Sequence, residues 1–176
     1  MNKYEILKND IQELFVDDIY IQHQQIAKCF NTSDVLFKTN EDNVIVYSNN
    51  DPNVKFIKTE LKIPKTANFS LRANVQKRII VGNKNPRVPI KEPSLIREWL
   101  IKQAQKNGFV LNSFFISNPF TLTGYKYKND CKLTFNVVDF SGELSVIDDV
   151  LFKKVLHDGI GISSSKNFGM GLVNVF

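Results

Sequence analysis

Two histidines, His23 and His157, are the side chains of this 176-residue chain suited to exchange a proton near neutral pH. His23 falls in a segment that Asp17 or Asp18 can cap and that reads as a helix over 19–30. On a helical wheel Ile19, Ile26, Ala27 and Phe30 form an apolar arc, and His23 projects from its middle. Such a residue is either a hydrogen-bonded core histidine or a proton-transfer group held in a partly dry place. Tyr20 lies three positions earlier on the same face, so the two side chains can address one group together. Lys28 sits five positions after His23, which carries it roughly 140° around the helix and about 7.5 Å along it. His157 ends a second candidate helix over 148–157, where the helix dipole favours its charged form. A two-histidine pair is open beside the plainer reading of a helix-end residue.

The other chemistry-bearing stretch is the tail 159–171, where Gly159, Gly161, Gly169 and Gly171 account for four of the eight glycines. Glycine loops that grip phosphate in nucleotide-binding motifs run strand, loop, helix, so that the anion meets a positive helix N-terminus. Here the order is reversed, with a helix before the loop and an expected strand over 168–176 after it. An anion would then be held by loop amides and Lys166. Gly169 and Gly171, two apart in a strand, would leave a bare strip of backbone on one face for close approach. The plain alternative is a packing accommodation, with Gly159 as a helix stop.

Charge is modestly positive overall at +5, but unevenly spread. Between Glu60 and Glu92 no acidic residue occurs, while Lys62, Lys65, Arg72, Lys77, Arg78, Lys84, Arg87 and Lys91 all fall inside. Such a block attracts a polyanion and predicts salt-sensitive binding. Cys29 and Cys131 belong to no paired motif, which argues against a disulfide framework or a structural zinc site and for a reducing cytosol. Without a membrane-length apolar run or a secretory h-region, the chain is expected to be soluble and cytoplasmic, with no membrane partner.

The elements that must position these residues are strands over 3–7, 35–38, 44–47 and near 55–62 around the first helix, with little room for a second. The second half reads as a strand over 69–78, a basic connector over 86–89 and a helix over 94–107 ended by Gly108. Strands then follow over 109–116 and 133–138, the latter turning through Ser141 and Gly142 into 144–147, before the last helix and strand. The fold class is α+β, two tandem ferredoxin-like (RRM-like) domains over 1–67 and 68–176, the first with a reduced or missing second helix. That architecture hosts many functions, and the base-stacking aromatics of an RNA-reading RRM are not evident.

Tyr20-Ile-Gln-His23, Phe69-Ser-Leu-Arg-Ala-Asn74 with Lys77 and Arg78, Arg87-Val-Pro89, Glu98-Trp-Leu100, Phe140-Ser-Gly-Glu-Leu-Ser-Val146 and the glycine-rich tail occur here in one order. In that order the chain resembles, over nearly its whole length, the CasE-type CRISPR endoribonucleases, which process precursor CRISPR RNA for the type I-E Cascade complex. The resemblance implies metal-independent cutting of the repeat hairpin by the RNA's own 2′-hydroxyl, leaving a 2′,3′-cyclic phosphate and a 5′-hydroxyl. It implies His23 as general acid or base, Tyr20 as orienting or sharing the proton transfer, and Lys28 as the cation on the phosphorane. Arg72, Asn74, Lys77, Arg78, Arg87 and Lys166 would bind the RNA, with the glycines Gly159, Gly161, Gly169 and Gly171 allowing close approach. Expected partners are the CRISPR repeat hairpin and other Cascade subunits, with no cofactor, no metal and no small-molecule substrate. The rival reading is a subunit that holds an RNA hairpin without cutting it.

Overall fold

The computed structural model describes residues 1–157 and 161–176. The first sheet is built from β1 (Asn2–Leu7), β2 (Leu36–Thr39), β3 (Asn43–Ser48) and β4 (Ile57–Glu60), all antiparallel, in the order β2-β3-β1-β4. Between β1 and β2 runs α1 (Ile19–Cys29). Its first turn is closed by the Asp18 carboxylate, which accepts from the Tyr20 and Ile21 N–H groups at 2.8 and 3.1 Å. β3 is buried on both faces, which is why it reads as an unbroken apolar run. Val44 and Val46 face α1 and join Tyr4, Ile6, Phe37, Ile26 and Phe30, while Ile45 and Tyr47 face the other way into the main core.

The main core belongs mostly to the second sheet. After β5 (Thr66–Asn74) come β6 (Gln76–Arg78), β7 (Arg87–Pro89), α2 (Pro93–Lys106), β8 (Phe109–Ile116), β9 (Phe120–Lys126), β10 (Cys131–Val146), α3 (Asp149–His157) and β11 (Val173–Val175). The strand order is β11-β5-β10-β8, with β9 on the free half of β10. Phe69, Leu71 and Ala73 on one face of β5 pack with Ile96 and Leu100 of α2 and Phe152 and Val155 of α3. Both sheets therefore share one order, in which the last strand of the unit lies beside the first and the first beside the third. No helix lies between β4 and β5. Among the described residues no helix is long and apolar enough to cross a membrane.

Four local features differ from the sequence expectation. The stretch around Arg87 is no mere connector: it pairs antiparallel with β6 as a hairpin whose ladder continues to the Val81 and Lys84 backbone bonds at its tip. β9 was not anticipated, and it pairs with β10 from Lys126–Cys131 to Phe120–Val137. Gly142 does not turn the chain but lies inside β10, where a side chain would collide with the Ser113 carbonyl of β8, and the β10–β8 register shifts just after it, between Glu143 and Leu144. The final strand is only three residues long, and the glycines before it belong to turns.

Candidate active site

The α1 face that carries Tyr20 and His23 meets a short 3-10 turn, Lys166–Phe168, contributed by the tail. The His23 imidazole is parallel to the Phe37 ring of β2 at 6.5 Å and edge-on to Phe168 at 5.7 Å. Tyr20 lies 6.4 Å from the same Phe168 ring, so one aromatic of the tail touches both candidate residues. Backbone geometry fixes that contact. Ser165 and Gly169 flank the turn with φ of 67° and 74°, and a Cβ at Gly169 would stand 2.9 Å from the Phe37 ring. Gly161 and Gly171 likewise have positive φ, 57° and 88°, and the Ile162 N–H donates to the Gly171 carbonyl at 3.0 Å. The expected bare strip on a strand is therefore corrected: Gly169 and Gly171 do permit close approach, but from left-handed turns that a strand could not contain. Gly159 lies outside the described residues, as does the side chain of His157.

His23 is half-buried, and burial pushes its pKa below the ordinary histidine value, which favours a neutral ring at pH 7. Its Nδ1 is buried and has no hydrogen-bond partner among the described residues. A core histidine kept for packing would normally have one, because an unpaired buried nitrogen is costly. The site thus holds a half-buried imidazole with an unpartnered ring nitrogen on the helix face that carries Tyr20.

Three consecutive residues of β9 with no earlier role, Gly124, Tyr125 and Lys126, complete the surroundings of Tyr20. A Cβ at Gly124 of β9 would stand 2.9 Å from both the Ile19 side chain and the Tyr20 nitrogen, so only glycine lets this strand lie against the start of α1. The second oxygen of Asp18 accepts from the Tyr125 N–H at 2.9 Å, tying strand to helix with the same carboxylate that caps it. Behind them a small core forms from Ile19, Val137 and Met170 with Leu122, Phe135 and Phe168 packed on it. Lys126 consequently places its ammonium 5.8 Å from the centre of the Tyr20 ring. Lys28 is exposed.

Next to the tail opens a groove of about 670 Å³ that gathers Lys77, Arg78, Arg87 and Lys166 from the expected set and adds Lys106 at the end of α2. Burial lowers the Lys166 pKa from its usual value, with Asp34 acting against that. Asn74 also lines the groove and is partly tied to the tail: its N–H donates to Ser163 Oγ at 3.1 Å and its Nδ2 to Ser165 Oγ at 3.2 Å, while its buried Oδ1 has no partner among the described residues. Arg72 stands apart. Its Nε and Nη2 both reach the Asp139 carboxylate at 2.8 Å, and its Nη1 donates to the Thr39 carbonyl at 3.3 Å, a fork that links the two sheets. The guanidinium also lies 5.3 Å from the Phe120 ring centre.

A family model described as "CRISPR associated protein" matches residues 8–176. No curated protein matches the chain significantly. Among solved structures, the CRISPR endoribonuclease Cse3 bound to a 19-nucleotide RNA is 20% identical, with a TM-score of 0.80 and complete coverage of both chains. Thermus thermophilus Cse3, bound to an RNA representing a pre-cleavage complex, is 20% identical with a TM-score of 0.76 over 99% of this chain and 98% of that one. The CRISPR-associated protein Cas6e from Escherichia coli K-12 is 22% identical with a TM-score of 0.72 over the same shares. The chain therefore belongs to the CRISPR-associated protein family, and its α+β fold is that of the Cse3 and Cas6e structures.

Proposed function

We propose that this protein is an endoribonuclease that cuts precursor CRISPR RNA at the repeat hairpin, without a metal, as a cytoplasmic subunit of a type I-E Cascade complex. The observation that carries the reading is His23, half-buried with an unpartnered Nδ1, in an aromatic cradle shared with Tyr20 through Phe168. The cationic groove begins on the same tail turn, two residues away at Lys166. Family membership and the RNA-bound Cse3 neighbours support the substrate class, and the neighbour solved as a CRISPR RNA-guided surveillance complex supports the assembly. In this reading the two sheets are two ferredoxin-like units, the first lacking its second helix and the second beginning with β5 at Thr66, two residues before the expected boundary at 67/68; their common strand order supports it.

The chemistry is an in-line transesterification. The 2′-oxygen forms a bond to phosphorus as the bond from phosphorus to the 5′-oxygen breaks, and no water enters the first product. The 2′-hydroxyl gives up its proton and the departing 5′-oxygen gains one, so a base and an acid serve opposite sides of one phosphate. A neutral His23 is poised to take a proton, and Tyr20 on the same helix face orients the nucleotide or shares the transfer. The nucleophile is already beside the phosphorus, so alignment supplies much of the rate. Lys77, Arg78 and Arg87 on the exposed hairpin, with Lys106 and Lys166, would follow the phosphates of an A-form stem, whose shape rather than base edges is read.

The test is single-turnover cleavage of a CRISPR repeat hairpin in EDTA by wild type and His23→Ala, with a second substrate bearing a 2′-deoxy sugar upstream of the scissile phosphate. Wild type is expected to cut; the variant should be slower by about 10²- to 10⁴-fold with its hairpin affinity kept, and the deoxy substrate should remain intact. Tight binding by wild type without any cleavage would instead identify a subunit that holds the hairpin.

A further inference from the structure

Lys38 is the one charged side chain among the described residues that the fold buries, at 7% exposure, and it takes part in none of the four ion pairs found there. A buried ammonium without a carboxylate is costly, so a lysine kept in such a place implies an anion that the chain itself does not supply. Burial lowers its pKa from the usual lysine value, the mark of an ammonium short of counter-charge. Asp139 shares the surroundings of Lys38, but both carboxylate oxygens are already taken by Arg72 at 2.8 Å. On β2 the lysine alternates with Phe37: the phenylalanine lies beside His23, and the lysine points the other way, toward the second sheet.

The cavity that Lys38 lines holds about 290 Å³, close to the smallest volume typical of a ligand pocket. Its floor is a row across the second sheet, in which Phe115 of β8 is level with Ser141 of β10 and Ser141 with Ser70 of β5. Phe140 and Leu71, their neighbours along the strands, face the main core, so the row lies on the sheet face turned away from α2 and α3. Ser70 Oγ accepts from the Asn174 Nδ2 at 3.5 Å, which leaves its own proton to donate. Phe115, 76% exposed on the edge strand, presents an aromatic face to solvent. A cation at the base, a hydroxyl donor beside it and a ring at the rim suit an unpaired nucleotide, with phosphate on the cation and base on the ring. The Arg72–Asp139 fork divides this cavity from a smaller one of about 160 Å³ beside Phe168 and Gly169, which places it one strand's width from the candidate active site.

We infer that this cavity is a second RNA site, which takes an unpaired nucleotide flanking the repeat hairpin, its phosphate against Lys38 and Ser70 and its base on Phe115. The inference rests on the endoribonuclease reading for its ligand, and on the unpaired lysine above the Phe115 row for its place. The strand running out of the hairpin is thereby gripped apart from the stem, and the cut lies between two points of attachment.

Equilibrium binding is measured for the repeat hairpin with a 2′-deoxy sugar upstream of the scissile phosphate, once trimmed to the nucleotides around the cut and once with unpaired nucleotides on both sides. The proteins are wild type, Lys38→Met, Phe115→Ala and Phe115→Trp, and cleavage of the all-ribose flanked RNA by wild type is followed alongside. Lys38→Met and Phe115→Ala should each lose roughly tenfold in affinity for the flanked RNA and stay within about threefold of wild type for the trimmed hairpin. Lys38→Met should also reduce the salt slope for the flanked RNA by about 0.7, the share of one single-strand phosphate. Phe115→Trp should keep the affinity, because a larger ring still stacks. Urea unfolding separates out a structural role: Lys38→Met is expected to be at least as stable as wild type, since methionine fills the space without an unpaired charge. Variants that bind the flanked RNA as wild type does overturn the site and leave Phe115 to a protein partner; an equal loss for both RNAs, or a destabilised Lys38→Met, overturns it too. Wild type that binds both RNAs and never cuts overturns the endoribonuclease reading, while the difference between flanked and trimmed RNA still decides the cavity.

Discussion

His23 lies among Phe37, Phe168 and Tyr20 with a ring nitrogen that no described protein group reaches, whereas the groove a turn away exposes Lys77, Arg78 and Arg87 to solvent. One region is aromatic and partly dry; the other is wet and positively charged. In the proposed function, reaction and attachment ask for these opposite environments. Proton transfer at neutral pH is helped by a histidine kept uncharged by burial, and phosphate tracking is helped by mobile cations that release counterions. The tail turn Lys166–Phe168 joins the two, with its lysine in the groove and its phenylalanine in the cradle. The difference teaches that affinity and rate should be separable by substitution, even though the regions are contiguous.

The sharpest way to break that separation is at the hairpin of β6 and β7. Replacing Lys77 and Arg78 together with alanine is expected to weaken hairpin binding roughly 10- to 100-fold at moderate salt, and to reduce the slope of log affinity against log salt by about one per lost phosphate contact. The cleavage rate at saturating enzyme should stay within about threefold of wild type. Binding titrations at several salt concentrations, followed by single-turnover cleavage, decide it; a large fall in the saturated rate would mean that the groove takes part in the chemistry.

Arg72 sharpens the comparison from the other side, because it belongs to the same basic block in sequence yet is committed to Asp139 and Thr39. Arg72→Ala leaves a half-buried carboxylate without its guanidinium and is expected to cost about 1–3 kcal/mol of stability. Urea unfolding measures that loss. The salt slope of RNA binding should be unchanged, in contrast to the Lys77 and Arg78 variant; a reduced slope with normal stability would return Arg72 to the RNA-contacting set.

That contrast also marks where local sequence stops being informative. The cap at Asp18, the apolar arc around His23 and the one-sided charge of 61–91 are local patterns; the structure shows the cap, buries Ile26 and Phe30 in one cluster and Ile19 in another, and brings Lys77, Arg78 and Arg87 of the block to one groove. The partner of Arg72 lies 67 residues away, and nothing near Arg72 signals that its charge is taken. β9 escaped notice for a related reason: its Phe120 and Leu122 pack on α1 and the tail rather than in the main core, so their value comes from a long-range contact. Gly124 and Lys126 were hidden with it. In the tail, an apolar run after the glycines imitates a strand, because periodicity records side-chain order and not the positive φ of Gly169 and Gly171. The candidate site was legible where one helix face defined it and obscure where two distant segments had to meet.

The smallest expected effect tests the dryness of the cradle directly. Burial lowers the pKa of His23 in the folded chain below its unfolded value, so the native state binds fewer protons than the unfolded state across that interval. Stability is then complete above the ordinary histidine pKa, near 6.5, and declines as pH falls from there through the lowered folded value. The wild-type urea midpoint should therefore drop more between pH 7.5 and 5.5 than that of His23→Phe, which keeps a ring beside Phe37 and Phe168 but has no proton to bind. An uncleavable 2′-deoxy hairpin should shrink the wild-type drop, since a phosphate placed against His23 favours the charged ring and repays the burial. Equal drops in wild type and His23→Phe would show that water already reaches the imidazole, and the contrast between a dry reaction site and a wet binding groove would no longer explain the arrangement.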